Sequence, residues 1–182
     1  MAKALSDEAM RQGVKAKIQI KIDTGMGRVG FPPGYSAVKA VMEIQKLPGI
    51  TIEGIFSHFA TADEEDGSYT MHQMELFESI ISELNRIGIL IPIRHISNSA
   101  AILQYPEFAM ELVRPGIILY GIYPSDDVKK DVADLRPAMT LKSNIAMLKW
   151  VEPGTDISYG RKFTTARKSL IATLPVGYAD GY

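Results

Sequence analysis

The chain is most constrained by a rhythm of short strand-like runs, each ending in a glycine- or polar-rich loop that feeds a helical pattern. The first unit shows it clearly. Lys17-Ile18-Gln19-Ile20-Lys21-Ile22 alternates with the period of a strand. Asp23-Thr24-Gly25-Met26-Gly27-Arg28-Val29-Gly30 then forms a glycine-punctuated loop, and Tyr35 to Leu47 carries Val38, Val41, Met42 and Ile44 on one helical face. Loops at the C-terminal ends of such strands are where α/β folds build active sites. On pattern alone, the favoured reading of Asp23 and Arg28 is a surface ion pair in an ordinary βα loop.

The rhythm repeats. Ile50 to Phe56 reads as a second strand delivering Ser57-His58-Phe59, and Ser68 caps a helix to about Ile87 with Met71, Met74, Leu76, Phe77, Ile80, Ile81 and Leu84 inward. Ile91 to Ile96 makes a third strand ending in Ser97-Asn98-Ser99, followed by a helical turn at Ala100 to Leu103. Met110 to Arg114 is expected as a fourth strand, with Pro115-Gly116-Ile117 at its mouth. Ahead of all these, Ala4 to Gln12 reads as a helix with Ser6 as its N-cap. Strands alternating with helices imply parallel βαβ units. Four units are half of a (β/α)8 TIM-type barrel, which typically needs ~250 residues; an open flavodoxin-like sheet is the rival.

The pattern changes after Pro124. Residues 124–137 read as a charged connector, and from Ala138 helical spacing gives way to strand, turn, strand: Met139 to Val151, a turn at Glu152-Pro153-Gly154-Thr155, then Lys168 to Val176. The expected organisation is therefore α/β, with a partial barrel domain over 1–123 and the start of a β-rich domain over 138–182. Neither end has the polar residues of a domain border, which leads us to expect a piece of a longer chain.

Composition narrows the function. With 20 basic and 21 acidic residues and no cysteine, the chain offers no charge for nucleic acid or a membrane surface and no thiolate metal site. It has neither a bilayer-length apolar run nor a signal peptide, so the cytoplasm is the expected location.

By position, the strand ends offer Asp23 and Arg28, then His58, then Asn98 and Ser99, then Arg114 with Gly116 and Ile117. In a barrel these face one mouth. Ser99 and the backbone N–H groups near Gly116 and Ile117 suit a phosphate. Each residue also has a plain structural reading: His58 as a hydrogen-bonded core histidine, Asn98-Ser99 as helix capping, Arg114 as the partner of Glu111 or Asp23. A metal-dependent barrel hydrolase using Asp23, His58 and His95 is a further reading, weakened by the cations of Lys21 and Arg28 nearby.

The stretches themselves are similar to those of one family. Lys21-Ile22-Asp23-Thr24-Gly25-Met26-Gly27-Arg28-Val29-Gly30 resembles the KxDTGMGRxG stretch of bacterial alanine racemases. Gly54 to Asp63, His95 to Ala101, Val113 to Gly121, Ser158-Tyr159-Gly160 and Val176 to Gly181 resemble five more, in the family's order. The resemblance implies pyridoxal 5'-phosphate (PLP) in a barrel mouth, an amino-acid substrate and a homodimer. It implies that Ser99, Gly116 and Ile117, beside Asn98, hold the phosphate, that His58 packs on the pyridine ring, and that Arg114 donates to the ring nitrogen. It implies further that Arg28 bonds the phenolic oxygen and the substrate side, that Lys21 is carbamylated, that Tyr159 is catalytic across the dimer interface, and that Tyr178 lies near the substrate entrance. No metal is implied. A serine racemase domain and a non-enzymatic PLP-binding barrel remain as alternatives. The family's Schiff-base lysine lies in an AxxKANAYGHG-type segment that these residues do not contain, so the polypeptide by itself is expected to be inactive. Open edge strands are expected to make it self-associate.

Overall fold

The alternating run that opens the pattern becomes β1 (Ala16–Lys21), and a computed structural model describes residues 1–181 in two compact units divided after Ala138. In the first unit, β1 is followed by α2 (Tyr35–Gln45), β2 (Ile50–Phe56), α3 (Ser68–Arg86), β3 (Ile93–His95) and α4 (Ser99–Gln104). The strands form one parallel sheet in the order β1-β2-β3. Each parallel pairing needs a crossover, and α2 and α3 supply them.

One face of the sheet is apolar and lies under those helices. Ile20, Ile22 and Ile55 join Val38 and Val41 of α2 and Phe77, Ile80, Ile81 and Leu84 of α3 in a single core. Removing each such side chain from water stabilises the fold by about 1.5–3 kcal/mol before entropic costs. Met74 belongs to this core, whereas Met42 and Met71, expected inward, are exposed.

A register shift in β2 decides what the other face carries. Ile18 pairs with Ile52 but Gln19 pairs with Gly54, so Glu53 is the extra residue of a bulge. Beyond it, Gln19, Gly54 and Ile93 form one row across the sheet, and Lys21, Phe56 and His95, the last residues of the strands, form the next.

Several local expectations change. α1 (Ala2–Arg11) starts before Ser6, which is buried, and whose Oγ accepts from the Gly49 N–H at 2.9 Å. Its hydroxyl satisfies the α2–β2 turn rather than capping α1. At α3 the N-cap is Gly67, and Asp66 Oδ1 accepts from the Ser68 N–H at 2.9 Å. Met110 to Arg114 is not a strand. The open edge of β3 is met by a side chain instead: Glu111 Oε2 accepts from the Arg94 N–H at 2.9 Å, and a single backbone bond, from Arg114 N–H to Ser97 O at 3.0 Å, leads into Pro115. The segment read as a connector packs on the first unit, with Val128 in the core and Tyr123 Oη donating to Ala133 O at 2.7 Å.

In the second unit β4 (Met147–Val151) pairs antiparallel with β7 (Ser169–Thr173), and β5 (Asp156–Ile157) with β6 (Phe163–Thr164). The strand expected from Met139 begins only at Met147.

Candidate active site at the strand ends

Phe56 gathers three of the strand-end side chains. Its ring stacks on His95 at 5.0 Å and 6°, with the Arg114 guanidinium 5.5 Å and Lys21 Nζ 5.6 Å from its centroid. Arg114 is held by several acceptors at once. Nη1 donates to His95 Nδ1, and Nη2 donates to Ser57 O at 2.7 Å and Ile96 O at 3.2 Å, with His58 Nδ1 at 3.3 Å. Nε–H and one Nη1–H have no partner among the described residues. The expected partners of Arg114 are taken elsewhere: Glu111 pairs with Arg94, which holds its carboxyl at about 2.

Beside Arg114 lies an open cleft lined by His58, Asp63, Asn98, Ser99, Arg114, Gly116 and Ile117, among others. Asn98 caps α4, its Oδ1 accepting from the Ala101 N–H at 3.1 Å, and its Nδ2 donates to Phe59 O at 3.3 Å. Asn98 is thus both a helix cap and a wall. Ser99 Oγ accepts from the Gly116 N–H at 2.8 Å, which frees the hydroxyl proton to donate into the cleft. This donor set, with Arg114 and the helical turn at Ile117–Tyr120, fits a phosphate-bearing ligand.

The first loop folds back on its strand: Phe31 N–H donates to Lys21 O and Asp23 N–H to Phe31 O, both at 2.9 Å. Gly30 makes this possible, since at φ +131° an added Cβ would lie 2.8 Å from Lys21 Cγ. Asp23 and Arg28 do not pair. Asp23 Oδ1 accepts instead from the Gly27 N–H at 2.9 Å and the Gly25 N–H at 3.2 Å. Burial pushes the Asp23 carboxyl up, but those amides and Lys21 together bring it below its usual value. Arg28 is exposed, yet its charge is felt at both Lys21 and His58. Lys21 Nζ is buried and has no hydrogen-bond partner among the described residues. Burial lowers its affinity for a proton, Asp23 opposes that, and Arg114 and Arg28 add to it. His58 is lowered by burial first and then by the same cations.

Sequence reasoning missed the polar network beneath these loops. Gln73 of α3 is fully buried; its Nε2 donates to His58 O at 3.0 Å and Thr24 Oγ1 at 3.3 Å, and its Oε1 accepts from the Ala60 N–H at 2.8 Å. Thr24 Oγ1 and Ser57 Oγ are 2.7 Å apart. The signal was present: a glutamine on the same stripe as Met74 and Phe77. Asp23, His58 and His95 do not gather as metal ligands, and no such trio occurs among the described residues.

Tyr159 and Tyr178 belong to the second unit and are exposed there. Tyr159 lies between Ser158 at φ 62° and Gly160 at φ 72°. A left-handed serine costs of order 1–3 kcal/mol and persists where its surroundings hold it. Here Arg161 pairs with Asp156, whose Oδ1 also accepts from Thr164 Oγ1 at 2.7 Å.

The family model for the alanine racemase N-terminal domain matches residues 1–124, and that for the C-terminal domain matches residues 138–182. The chain belongs to the alanine racemase family. Its fold is accordingly α/β, with part of the family's TIM-type barrel domain followed by part of its β-rich domain. The alanine racemase of Clostridium tetani is 53% identical over 182 residues, all of this chain and 47% of that protein. That of Desulforamulus reducens is 48% identical, again over the whole chain and 49% of the relative. The chain thus spans about half the length of the relatives it matches. Among solved structures, alanine racemase from Clostridium difficile 630 superposes with a TM-score of 0.86 at 50% identity, covering 100% of this chain and 47% of that one. The Bacillus anthracis enzyme with bound L-Ala-P gives 0.79 at 35% identity, covering 98% of this chain and 47% of that one.

Proposed function

We propose that these residues carry the cofactor pocket and part of the catalytic machinery of a PLP-dependent alanine racemase, a cytoplasmic homodimer that interconverts L- and D-alanine for peptidoglycan. The observation that carries this reading is Arg114, a guanidinium that lines a phosphate-suited cleft, with two donors that have no partner among the described residues. The relative that holds L-Ala-P supports an alanine-sized substrate.

When bound, PLP supplies an electron sink for the bond broken at the substrate Cα. Ser99 Oγ, steadied by the Gly116 N–H, would hold the phosphate with the backbone at Ile117 and the cap residue Asn98. His58 would pack against the ring, and Arg114 would donate to its nitrogen. A guanidinium keeps its protons, so Arg114 would leave that nitrogen unprotonated and the sink weak, which would favour simple proton return over side reactions such as transamination. Arg28 would bond the phenolic oxygen and the substrate side.

Racemisation needs a proton removed from one face and returned on the other. Tyr159 holds the proton on one face, acting on the partner subunit's site, with Tyr178 near the entrance. Free tyrosine has a pKa of about 10, so nearby cations are needed for it to act as a base near neutrality. A lysine serves the opposite face in this reading, and the segment that carries it in the family is not among these residues. The test is direct. The full-length protein, given PLP and L-alanine, is expected to release D-alanine detectable with a D-amino acid oxidase. A protein loaded with PLP that yields none overturns the reading, and L-serine in parallel separates the alanine and serine racemase alternatives.

A further inference from the structure

Resting on the racemase reading, one arrangement goes beyond it. Arg114 does not reach its position unaided. Its Nη1 donates to Nδ1 of His95, and Nε2 of the same ring lies 2.5 Å from Gln19 Oε1. His95 is buried and fixed flat against Phe56. Gln19 is on β1 and His95 on β3, with β2 between them. The gap is bridged because the bulge sets Gly54 opposite Gln19: a Cβ on Gly54 would lie 3.1 Å from Gln19 Cδ. The bare backbone there lets the glutamine cross the middle strand.

Proton assignment follows from chemistry alone. Arginine has no acceptor, so the His95 nitrogen facing it must be unprotonated. The ring's proton then sits on Nε2, and the Gln19 atom that receives it must be the amide oxygen. We propose that Gln19 and His95 are positioning residues for Arg114: Gln19 locks His95 as the neutral Nε2–H tautomer, and that tautomer aims the guanidinium at the cleft.

An imidazolium would set N–H against N–H and push Arg114 away. The groups around His95 resist that state. Arg114 faces it directly, Lys21 of β1 lies across Phe56, and His58 after β2 touches Arg114 Nη2; the nearest carboxylate on β1's loop, Asp23, is engaged by loop amides, and Arg94 beside it pairs with Glu111. Burial and Arg114 lower His95 to about 4, consistent with a ring kept neutral.

The test uses the full-length protein. Long-range ¹H–¹⁵N spectra of the imidazoles, with His95 assigned by its loss in His95→Asn, are expected to show an Nε2–H tautomer from pH 8 down to 5. In Gln19→Glu the carboxylate favours the imidazolium. The acid limb of kcat is then expected to rise by about one pH unit or more, with kcat at pH 5 falling while kcat at pH 8 is kept, and KM changed less. His95→Phe keeps the stack but removes the acceptor, and should lose about tenfold in kcat; His95→Asn, which restores an acceptor near Nδ1, should recover part of it. A proton on Nδ1 in the unsubstituted protein, or an unmoved acid limb in Gln19→Glu, overturns the relay. Absence of racemisation in the unsubstituted protein would overturn the functional reading instead, while the tautomer measurement still decides the relay.

Discussion

Lys21 Nζ lies 5.6 Å from the centroid of the Phe56 ring, buried and without a hydrogen-bond partner among the described residues. An ammonium there is costly, because it is desolvated and shares its surroundings with Arg114 and Arg28. The lowered proton affinity leaves more of the amine neutral, the form that attacks carbon dioxide. A carbamate at Nζ would reverse the local sign, accept hydrogen bonds and attract Arg28. The full-length protein in ¹³C-bicarbonate is therefore expected to give a carbamate carbonyl signal that disappears in Lys21→Met, with kcat of that variant down about tenfold or more. If the lysine is unmodified, the variant removes an unpaired buried amine and should raise Tm with no signal to lose.

Gln73→Leu tests the network under the loops. The change leaves the Ala60 N–H and the His58 carbonyl without their partner. A fully buried group left unsatisfied costs about 1–3 kcal/mol, and these part-buried ones less. The expected outcome is a lower urea midpoint at unchanged m-value and weaker retention of PLP, because His58 loses its anchor. Gln73→Glu keeps an acceptor for the Ala60 N–H but sets a carboxylate oxygen against the His58 carbonyl, so it too should lower the midpoint. Retention of wild-type midpoint in both would remove Gln73 from the site's support.

The pH dependence of folding stability has a definite sign. His95 titrates at about 4 when folded and near 6.5 when unfolded, and His58 is also lowered. Between those values the unfolded chain binds protons that the folded chain refuses. Stability is fully present above about pH 6.5 and is lost as pH falls toward 4. Glu111, lowered to about 2, adds its own loss only below the usual glutamate value. Urea titrations of the cofactor-free protein should show the upper decline, and His95→Asn should make it shallower, leaving the part that belongs to His58. A flat profile from pH 7 to 5 in the unsubstituted protein would contradict the buried neutral imidazole.

Much of this site was legible in the sequence because strand ends in a βαβ chain share one side of the sheet. Alternation in Lys17 to Ile22 and the loops after it were enough to bring His58, Asn98, Ser99, Arg114, Gly116 and Ile117 to one cleft. What the pattern could not carry was register. Ile52 and Ile55 both face the helices although they are three residues apart, because Glu53 is bulged out, and no strict alternation announces that. Partner choice was equally hidden. Glu111 and Arg94 are a natural pair only once β3 is known to have an open edge there, and Arg114 binds histidine and carbonyl groups rather than a carboxylate. The expected fourth strand failed for the same reason: Glu111 satisfies the β3 amide that a strand would otherwise have paired.

Gly54→Ala is the substitution on which bulge, sheet and arginine meet. A methyl there would lie 2.9 Å from Ile93 O on one side and 3.1 Å from Gln19 Cδ on the other. The carbonyl belongs to the β2–β3 ladder and cannot retreat without loosening it, whereas the glutamine can swing out. Strain of this kind costs about 1–3 kcal/mol, so Tm should fall. Swinging Gln19 away also frees the His95 ring, so the acceptor facing Arg114 is no longer fixed. The variant should therefore lose kcat beyond what its lower stability explains at a temperature where it is fully folded. Gln19→Ala placed on top should restore little Tm if the ladder contact dominates, and much of it if the clash is with the side chain. Unchanged Tm and unchanged kcat in Gly54→Ala would mean that the strands part easily there and that no side chain needs the passage.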